Sequence, residues 1–239
     1  MSDPLALLPL ALAAGGGRLN RIDASRAVAA GFTLLQRCAP LVRALAGKRA
    51  AAVLPADPAF LCALAASDGR GLFWCDPHVS PDELGSRSAA YGVGAVFTME
   101  TFTATCRLAL GADIPLVLLD DAPAHAVVHA GDRRIVVDLG SHFGLPLEGQ
   151  RDAEGRDEEC LLIGERILTH RDLLRDARAF GATAGLTPVD RTMTVMPTAD
   201  VDLFVAGVVA PLLYGGEVFV TPTEDRAPID QFAPTRLVH

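Results

Sequence analysis

Residues able to do chemistry fall into a few short groupings. His125 and His129 stand four apart, just beyond Asp120 and Asp121, a spacing that grips a metal ion when the segment is helical. The surrounding residues read instead as a strand, which puts both imidazoles on one face of an exposed hairpin without that clamp, and no metal site is expected. Cys75-Asp-Pro-His78 sets a thiol near an imidazole, a pairing used for nucleophilic catalysis. It lies at a strand end, where a buried, inert thiol is the expectation. Ser141-His142 places a hydroxyl beside an imidazole, but adjacent residues seldom converge as nucleophile and base, and no G-x-S-x-G elbow is present. The carboxylates of Asp157-Glu158-Glu159 could hold a cation, yet such a run reads as a solvated loop. No catalytic residue is expected from these groupings.

Composition narrows the field further. The 239 residues carry 21 Lys and Arg against 29 Asp and Glu, a formal charge of −8. No basic block of the kind that grips phosphate backbones occurs, so nucleic acid is not an expected partner. Among the basic residues only one is a lysine, Lys48. The five cysteines, Cys38, Cys62, Cys75, Cys106 and Cys160, are odd in number and scattered through apolar stretches without C-x-x-C. They read as buried free thiols in a reducing compartment, the cytoplasm. The segment Leu5 to Ala14 imitates the apolar core of a secretory leader, but Asp3 and no Lys or Arg precede it, so a helix packed on the body is expected. No other run approaches the length of a membrane-spanning helix.

The elements that would position these residues follow from periodicity and punctuation. Val28, Phe32, Leu35, Ala39 and Val42 recur at steps of three and four, after Asp23 as a plausible N-cap and before Gly47, with Pro40 expected to kink or split the helix. Ala50 to Leu54 reads as a strand, and Asp57-Pro58 caps and opens the helix after it. Gly71 to Cys75 is a second strand, Ser80-Pro-Asp-Glu83 a capping box opening a helix that stops near Gly92, and Gly94 to Thr98 a third strand. A helix across Thr101 to Leu110 precedes the strand Pro115 to Leu119. Such alternation implies a parallel sheet. Ala126 to His129 and Ile135 to Val137, joined across Gly131-Asp132, read as a small antiparallel hairpin.

Residues 141–159, rich in glycine and charge, read as a linker, so residues 1–140 form a first αβ subdomain and 160–239 begin a second. In the latter Cys160 to Ile163 is strand-like, Thr169 caps a helix with Asp172 at N3, Thr192 to Met196 is a strand, Val201 to Leu213 an apolar helix, and Glu217 to Thr221 the last strand. The fold class is α/β: layered, mostly parallel sheet flanked by helices on both faces. Thr169-His170 is the most interesting pair, because it opens a helix whose N-terminus attracts anions.

Several stretches resemble, in order, the N-terminal half of the adenylate-forming ligases, the superfamily of acyl-CoA synthetases, luciferases and peptide-synthetase adenylation domains. Gly47-Lys-Arg-Ala-Ala-Ala-Val-Leu-Pro-Ala-Asp-Pro-Ala-Phe-Leu61 resembles that family's "G-D-R-V-A-V-L-L-P-N-S-P-E-F-L". Asp76-Pro-His-Val-Ser-Pro-Asp-Glu-Leu84 is similar to "N-P-x-L-T-P-x-E-L", Leu168-Thr-His-Arg-Asp-Leu-Leu174 to "L-T-H-R-N-L-L", and Val209-Ala-Pro-Leu-Leu-Tyr-Gly-Gly216 to "x-x-P-L-L-x-G-A". The resemblance covers most of the chain and implies the family's N-terminal lobe.

The departures bear on function. In the family a Thr/Ser/Gly-rich loop ending in Pro-Lys-Gly precedes the "L-T-H-R" helix and wraps the ATP phosphates. Here Cys160-Leu-Leu-Ile-Gly-Glu-Arg-Ile-Leu-Thr-His170 has one glycine, no Ser or Thr before Thr169, no lysine, and Glu165 where a phosphate would approach. Two readings follow: a strand and helix joined directly with the phosphate loop deleted, or a remodelled nucleotide site using Arg166 and His170, with Thr169 beside them. The position matching the family's "L-P-x-F-H" histidine is Asp200, in Met196-Pro-Thr-Ala-Asp200. The chain stops at His239, so the family's later nucleotide motifs and its C-terminal domain with the catalytic lysine fall outside it. The resemblance with these losses implies a degenerate, non-catalytic binding or interaction module without a cofactor. It would pair with a second copy or a larger ligase-type protein through apolar surface. The alternative is one half of a split acyl-CoA synthetase, for which ATP and Mg²⁺ would be ligands.

Overall fold

The computed structural model describes residues 7–68, 70–140, 159–196, 198–222 and 232–239. The expected linker 141–159 falls outside them apart from Glu159, as does Ser141-His142.

The elements in chain order are α1 (Leu8–Gly15), β1 (Arg18–Leu19), β2 (Ile22–Asp23), α2 (Ala24–Arg37), α3 (Ala39–Ala44), β3 (Arg49–Val53), α4 (Pro58–Ala66), β4 (Leu72–Cys75), α5 (Pro81–Tyr91), β5 (Val93–Thr98), α6 (Thr103–Leu110), β6 (Leu116–Leu119), β7 (His125–Ala130) and β8 (Arg133–Asp138). Then follow β9 (Glu159–Ile163), β10 (Arg166–Thr169), α7 (His170–Ala184), β11 (Arg191–Val195), α8 (Val201–Phe204), α9 (Ala210–Leu213), β12 (Glu217–Thr221) and β13 (Arg236–Val238). A π-helical turn, Val205–Val209, joins α8 to α9.

Eight strands form one sheet in the order β10-β9-β4-β3-β5-β6-β7-β8. Its five central strands run parallel, while β10 at one edge and the hairpin β7-β8 at the other are antiparallel. Central β3 shows why both faces are covered. Alternate residues point to opposite sides: Ala50 and Ala52 join the core formed with α2 and α4, and Ala51 and Val53 the core beneath α5 and α6. Helix α4 is buried along its whole length, sheet on one side and α2 on the other, so it carries no polar face. Asp57 caps it through Phe60 N–H.

The smaller sheet has the order β13-β11-β12-β1-β2, parallel except for β2. Sheet membership cuts across the expected division at 141–159: β9 and β10 complete the large sheet, and β1 and β2 join the small one. Phe60, Trp74 and Phe204 bind the two layers, with ring centroids 4.4 Å (Phe60 to Trp74), 5.4 Å (Phe60 to Phe204) and 5.1 Å (Trp74 to Phe204) apart. Trp74 Nε1 donates to Leu54 O at 2.8 Å, which satisfies the buried indole.

Most sequence expectations for the elements hold, including the break in the second helix and the reciprocal capping box between Thr169 and Asp172. Four points need correction. Asp23 stands at the N-cap position of α2 but makes no capping bond, and pairs with Arg18 at 3.3 Å. The hairpin β1-β2 was not expected; its turn places Asn20 and Arg21 at φ 45° and 71°, the paired positive angles of a type I′ turn. Glu217–Thr221 is not the last strand, because β13 pairs with β11. Finally, the strand after the linker does not lead straight into the helix: β9 folds back through Gly164-Glu165 into β10, with Arg166 opposite Ile163. Among the described residues no helix is long and apolar enough to cross a membrane.

Candidate functional site

β3 passes through α4 to β4 on one side, and β4 returns through α5 to β5 on the other side of β3. That reversal of strand order leaves a crevice at the carboxyl ends of the strands, where open α/β sheets bind ligands. A cavity of about 570 Å³ opens there. Its walls come from the ends of β3 (Leu54 to Asp57), β4 (Trp74, Pro77, His78), β5 (Met99, Thr101, Phe102) and β6 (Asp121, Ala122). The small sheet closes it with Asn20 and Ile22 of the β1-β2 hairpin, Met196, Thr198 and Ala199 after β11, and Phe219, Val220 and Pro222 of β12. Asn20 Oδ1 accepts Val220 N–H at 2.9 Å, which fixes the hairpin tip on the cavity rim.

Asp57 is the unusual group in this cavity. It is 6% exposed, and Oδ1 accepts Phe60 N–H at 3.0 Å. Burial, reinforced by the charge of Asp121, raises its pKa to about 7, against the backbone N–H groups of Phe60, Ala59 and Asp57 itself, which favour the carboxylate. Among the described residues no Lys or Arg lines the cavity. Three cations, Lys48, Arg49 and Arg70, lie at the opposite, amino edge of the sheet, in a cleft of about 770 Å³. There Arg49 Nε donates to Glu159 at 2.8 Å and Arg70 to Leu45 O at 2.6 Å.

The residues singled out at the expected nucleotide site do not converge. Arg166 pairs with Asp202 at 3.2 Å in solvent. Thr169 Oγ1 accepts Asp172 N–H at 3.1 Å and donates to Asp172 Oδ2 at 2.8 Å, an arrangement that lowers the Asp172 pKa. His170 is buried, and its Nδ1 accepts the backbone N–H of Leu8 at 3.0 Å. Lys48, at the start of β3, lies at least about 15 Å from the Gly164-Glu165 turn, since a five-residue strand separates the two edges.

The other groupings stay apart as well. Cys75 packs beneath α5 with its thiol pKa pushed up by burial, whereas His78 faces the crevice with its ring 6.2 Å from Phe102. His125 and His129 lie on one face of β7, and among the described residues no three metal-ligating side chains gather. Asp200 accepts Leu203 N–H at 2.8 Å and caps α8. All five thiols are buried and unpaired.

Solved structures match this arrangement over nearly all of the chain. CmiS6 superposes with a TM-score of 0.72 at 14% identity, over 99% of this chain and 59% of its own. MatB from Rhodopseudomonas palustris gives 0.67 at 14%, over 97% and 48%. A benzoate CoA ligase from Burkholderia xenovorans LB400 gives 0.65 at 12%, over 97% and 49%. The chain has the fold of the N-terminal lobe of the adenylate-forming ligases. It spans about half the length of most of these proteins. No protein-family profile matches the chain, and no curated protein is similar to it in sequence.

The β9-β10 turn precedes β10 and the Thr169-His170 opening of α7. Two residues make it, Gly164 at φ 58° and Glu165, and Tyr91 Oη donates to Gly164 O at 3.0 Å to hold the turn down. The sequence signals located β9 and the start of α7, but not the antiparallel strand β10 between them. Asp57 was read only as a helix cap, because a capping Asp looks the same in sequence whether or not a cavity lies beside it.

Proposed function

We propose that this protein is a binding or interaction module built on the ligase-lobe scaffold, without ATP chemistry of its own. The observation that carries the reading is the two-residue Gly164-Glu165 turn. A triphosphate needs several converging N–H, hydroxyl and ammonium donors. The turn has room for few, presents a carboxylate, and has no lysine within reach. Thr169 and His170 are engaged in capping α7 and α1, and Arg166 is paired. On this reading the protein needs no nucleotide or Mg²⁺, resides in the cytoplasm, which five unpaired thiols favour, and works with a second copy or a larger ligase-type partner. Half-exposed Val136 on edge strand β8 and Ile167 on edge strand β10 are apolar points for such a contact.

One observation favours a second reading, one half of a split acyl-CoA synthetase: the chain aligns end to end with about half of the matched ligases. ATP, Mg²⁺, a carboxylic acid and coenzyme A would then be ligands of the assembled pair.

Calorimetric titration with ATP and Mg²⁺, then with a nonhydrolysable acyl-adenylate mimic, separates the two, with molar mass from light scattering on the same sample. The first reading expects no heat from either and a dimeric or hetero-oligomeric mass. Micromolar binding of the mimic, about −8 kcal/mol, would overturn it in favour of the split ligase.

A further inference from the structure

We infer that the crevice at the carboxyl ends of the large sheet binds a small organic cation, an ammonium group carried on an apolar or aromatic body, with Asp57 as its counter-ion. The inference rests on the binding-module reading and names the ligand class of that module's cavity.

Three independent features point the same way. The cavity has the size of small-molecule sites, which run about 300–1,000 Å³, and lies at the strand-order reversal. Its walls are largely apolar, with Trp74, Phe102 and Phe219 among them, and aromatic faces attract cations as well as apolar bodies. Among the described residues its carboxyls are Asp57 and Asp121, while Lys48, Arg49 and Arg70 lie at the amino edge of the sheet. A carboxylate or phosphate ligand would enter against two carboxyls, with no Lys or Arg among the described lining residues to meet it. An ammonium ion enters toward them.

Asp57 is built to respond to such a ligand. Its carboxyl is nine-tenths buried and aligned by the Phe60 N–H, and no side chain among the described residues is hydrogen-bonded to it. Its raised pKa leaves it partly protonated near neutrality, so an arriving ammonium displaces that proton to solvent and completes an ion pair. The other titratable groups facing it are Asp121 after β6, His78 after β4 and the buried Cys62 thiol of α4. Among the described lining residues, the β1-β2 hairpin and the ends of β5, β11 and β12 contribute none.

The test uses the sole tryptophan, Trp74, which lines the cavity and reports on it by fluorescence. Phenethylammonium, phenylacetate and neutral phenylacetamide are titrated at pH 7, with calorimetry in phosphate and in HEPES to count protons released. The expected result is phenethylammonium binding at least about tenfold tighter than phenylacetate, with proton release, and at least about a tenfold loss in Asp57→Asn together with loss of that release. Asn caps helices as well as Asp, so the variant keeps its fold, checked by its melting temperature. Asp121→Asn, at an exposed position, is the second variant and lowers affinity less. Equal or tighter binding of phenylacetate, unchanged binding by Asp57→Asn, or no response to phenethylammonium would each overturn the inference. The acyl-adenylate mimic on the same sample tells the failures apart: if it binds, the module reading falls too, and if it does not, only the ligand class falls.

Discussion

His170 and Leu8, 162 positions apart, are joined by one buried hydrogen bond from the Leu8 backbone N–H to Nδ1 at 3.0 Å. Leu8 opens α1, and the first N–H groups of a helix have no partner within it. A helix end buried in the core therefore needs an acceptor from elsewhere, and His170, the first residue of α7, supplies it. The accepting nitrogen carries no proton, so the imidazole is held as its Nε2–H tautomer.

Removing that acceptor should cost stability. His170→Ala leaves a buried donor unsatisfied and a void beside α1, an expected loss of about 2–4 kcal/mol, read from the midpoint of urea unfolding at unchanged m value. His170→Gln, which can still accept, recovers part of it. An alanine variant within about 0.5 kcal/mol of the parent would mean that the bond anchors nothing.

Gly31 lies in α2 where it crosses α4. A Cβ there would stand 2.7 Å from Ala65 Cβ and 3.0 Å from Ala66 N. Alanine gains about 1 kcal/mol of helix propensity over glycine, but the clash is with another helix's backbone and cannot relax by a rotamer change. We expect Gly31→Ala to be destabilising by about 1–3 kcal/mol; a stabilised variant in thermal unfolding would show that the two helices are less tightly apposed.

Asp57 makes stability fall with rising pH across a defined window. Its folded pKa is about 7, against an ordinary 3.8, so between these values the native state holds a proton that the unfolded chain releases. The contribution is fully present below pH 4 and lost as pH rises through 7, at most about 4 kcal/mol. Denaturant midpoints from pH 4 to 8 should show this slope in the parent and a flatter profile in Asp57→Asn, which should be the more stable of the two at pH 8. Parallel profiles would place Asp57 in contact with water.

Asp190 acts in the opposite sense. Arg236 Nε donates to its Oδ1 at 3.0 Å, and Thr187 N–H and Oγ1 donate to Oδ2 at 2.7 and 2.9 Å. These bonds lower its pKa to about 2, with Arg236 the largest cause. The stability it lends is present above pH 4 and lost as pH falls through 2. Because Arg236 is one-third exposed, the effect is on the order of 1 kcal/mol. In Asp190→Asn the acid limb of the unfolding profile should become shallower, with β13 loosened from β11 in amide exchange; an identical acid limb would refute this.

Gly164 turns β9 into β10 at φ 58°, where a side chain costs about 1–2 kcal/mol. Gly164→Ala should lose about that much, whereas a Gly/Ser-rich insertion ending in Pro-Lys-Gly between Ile163 and Leu168 should leave the chain alone without acid-dependent ATP–pyrophosphate exchange. Exchange by the insertion variant would show that the rest of a nucleotide site survives.

Local rules carried most of the fold. Ser80, Asp57 and Thr169 announce helix starts because an N-cap needs only the three residues after it, and Gly92 marks a helix stop because few residues adopt positive φ. Equally legible was the make-up of Cys160 to His170, which holds one glycine and no lysine. What sequence alone left open depends on partners far along the chain. β1, β2 and β13 have two or three residues each, too few to show a period, and exist because neighbours offer them edges. His170 was legible as a helix opener but not as the acceptor for Leu8. Asp57 reads as a cap in sequence; only the meeting of β3, β4, β6 and the small sheet buries it, sets Asp121 near it and leaves the cavity that makes its carboxyl chemically distinct.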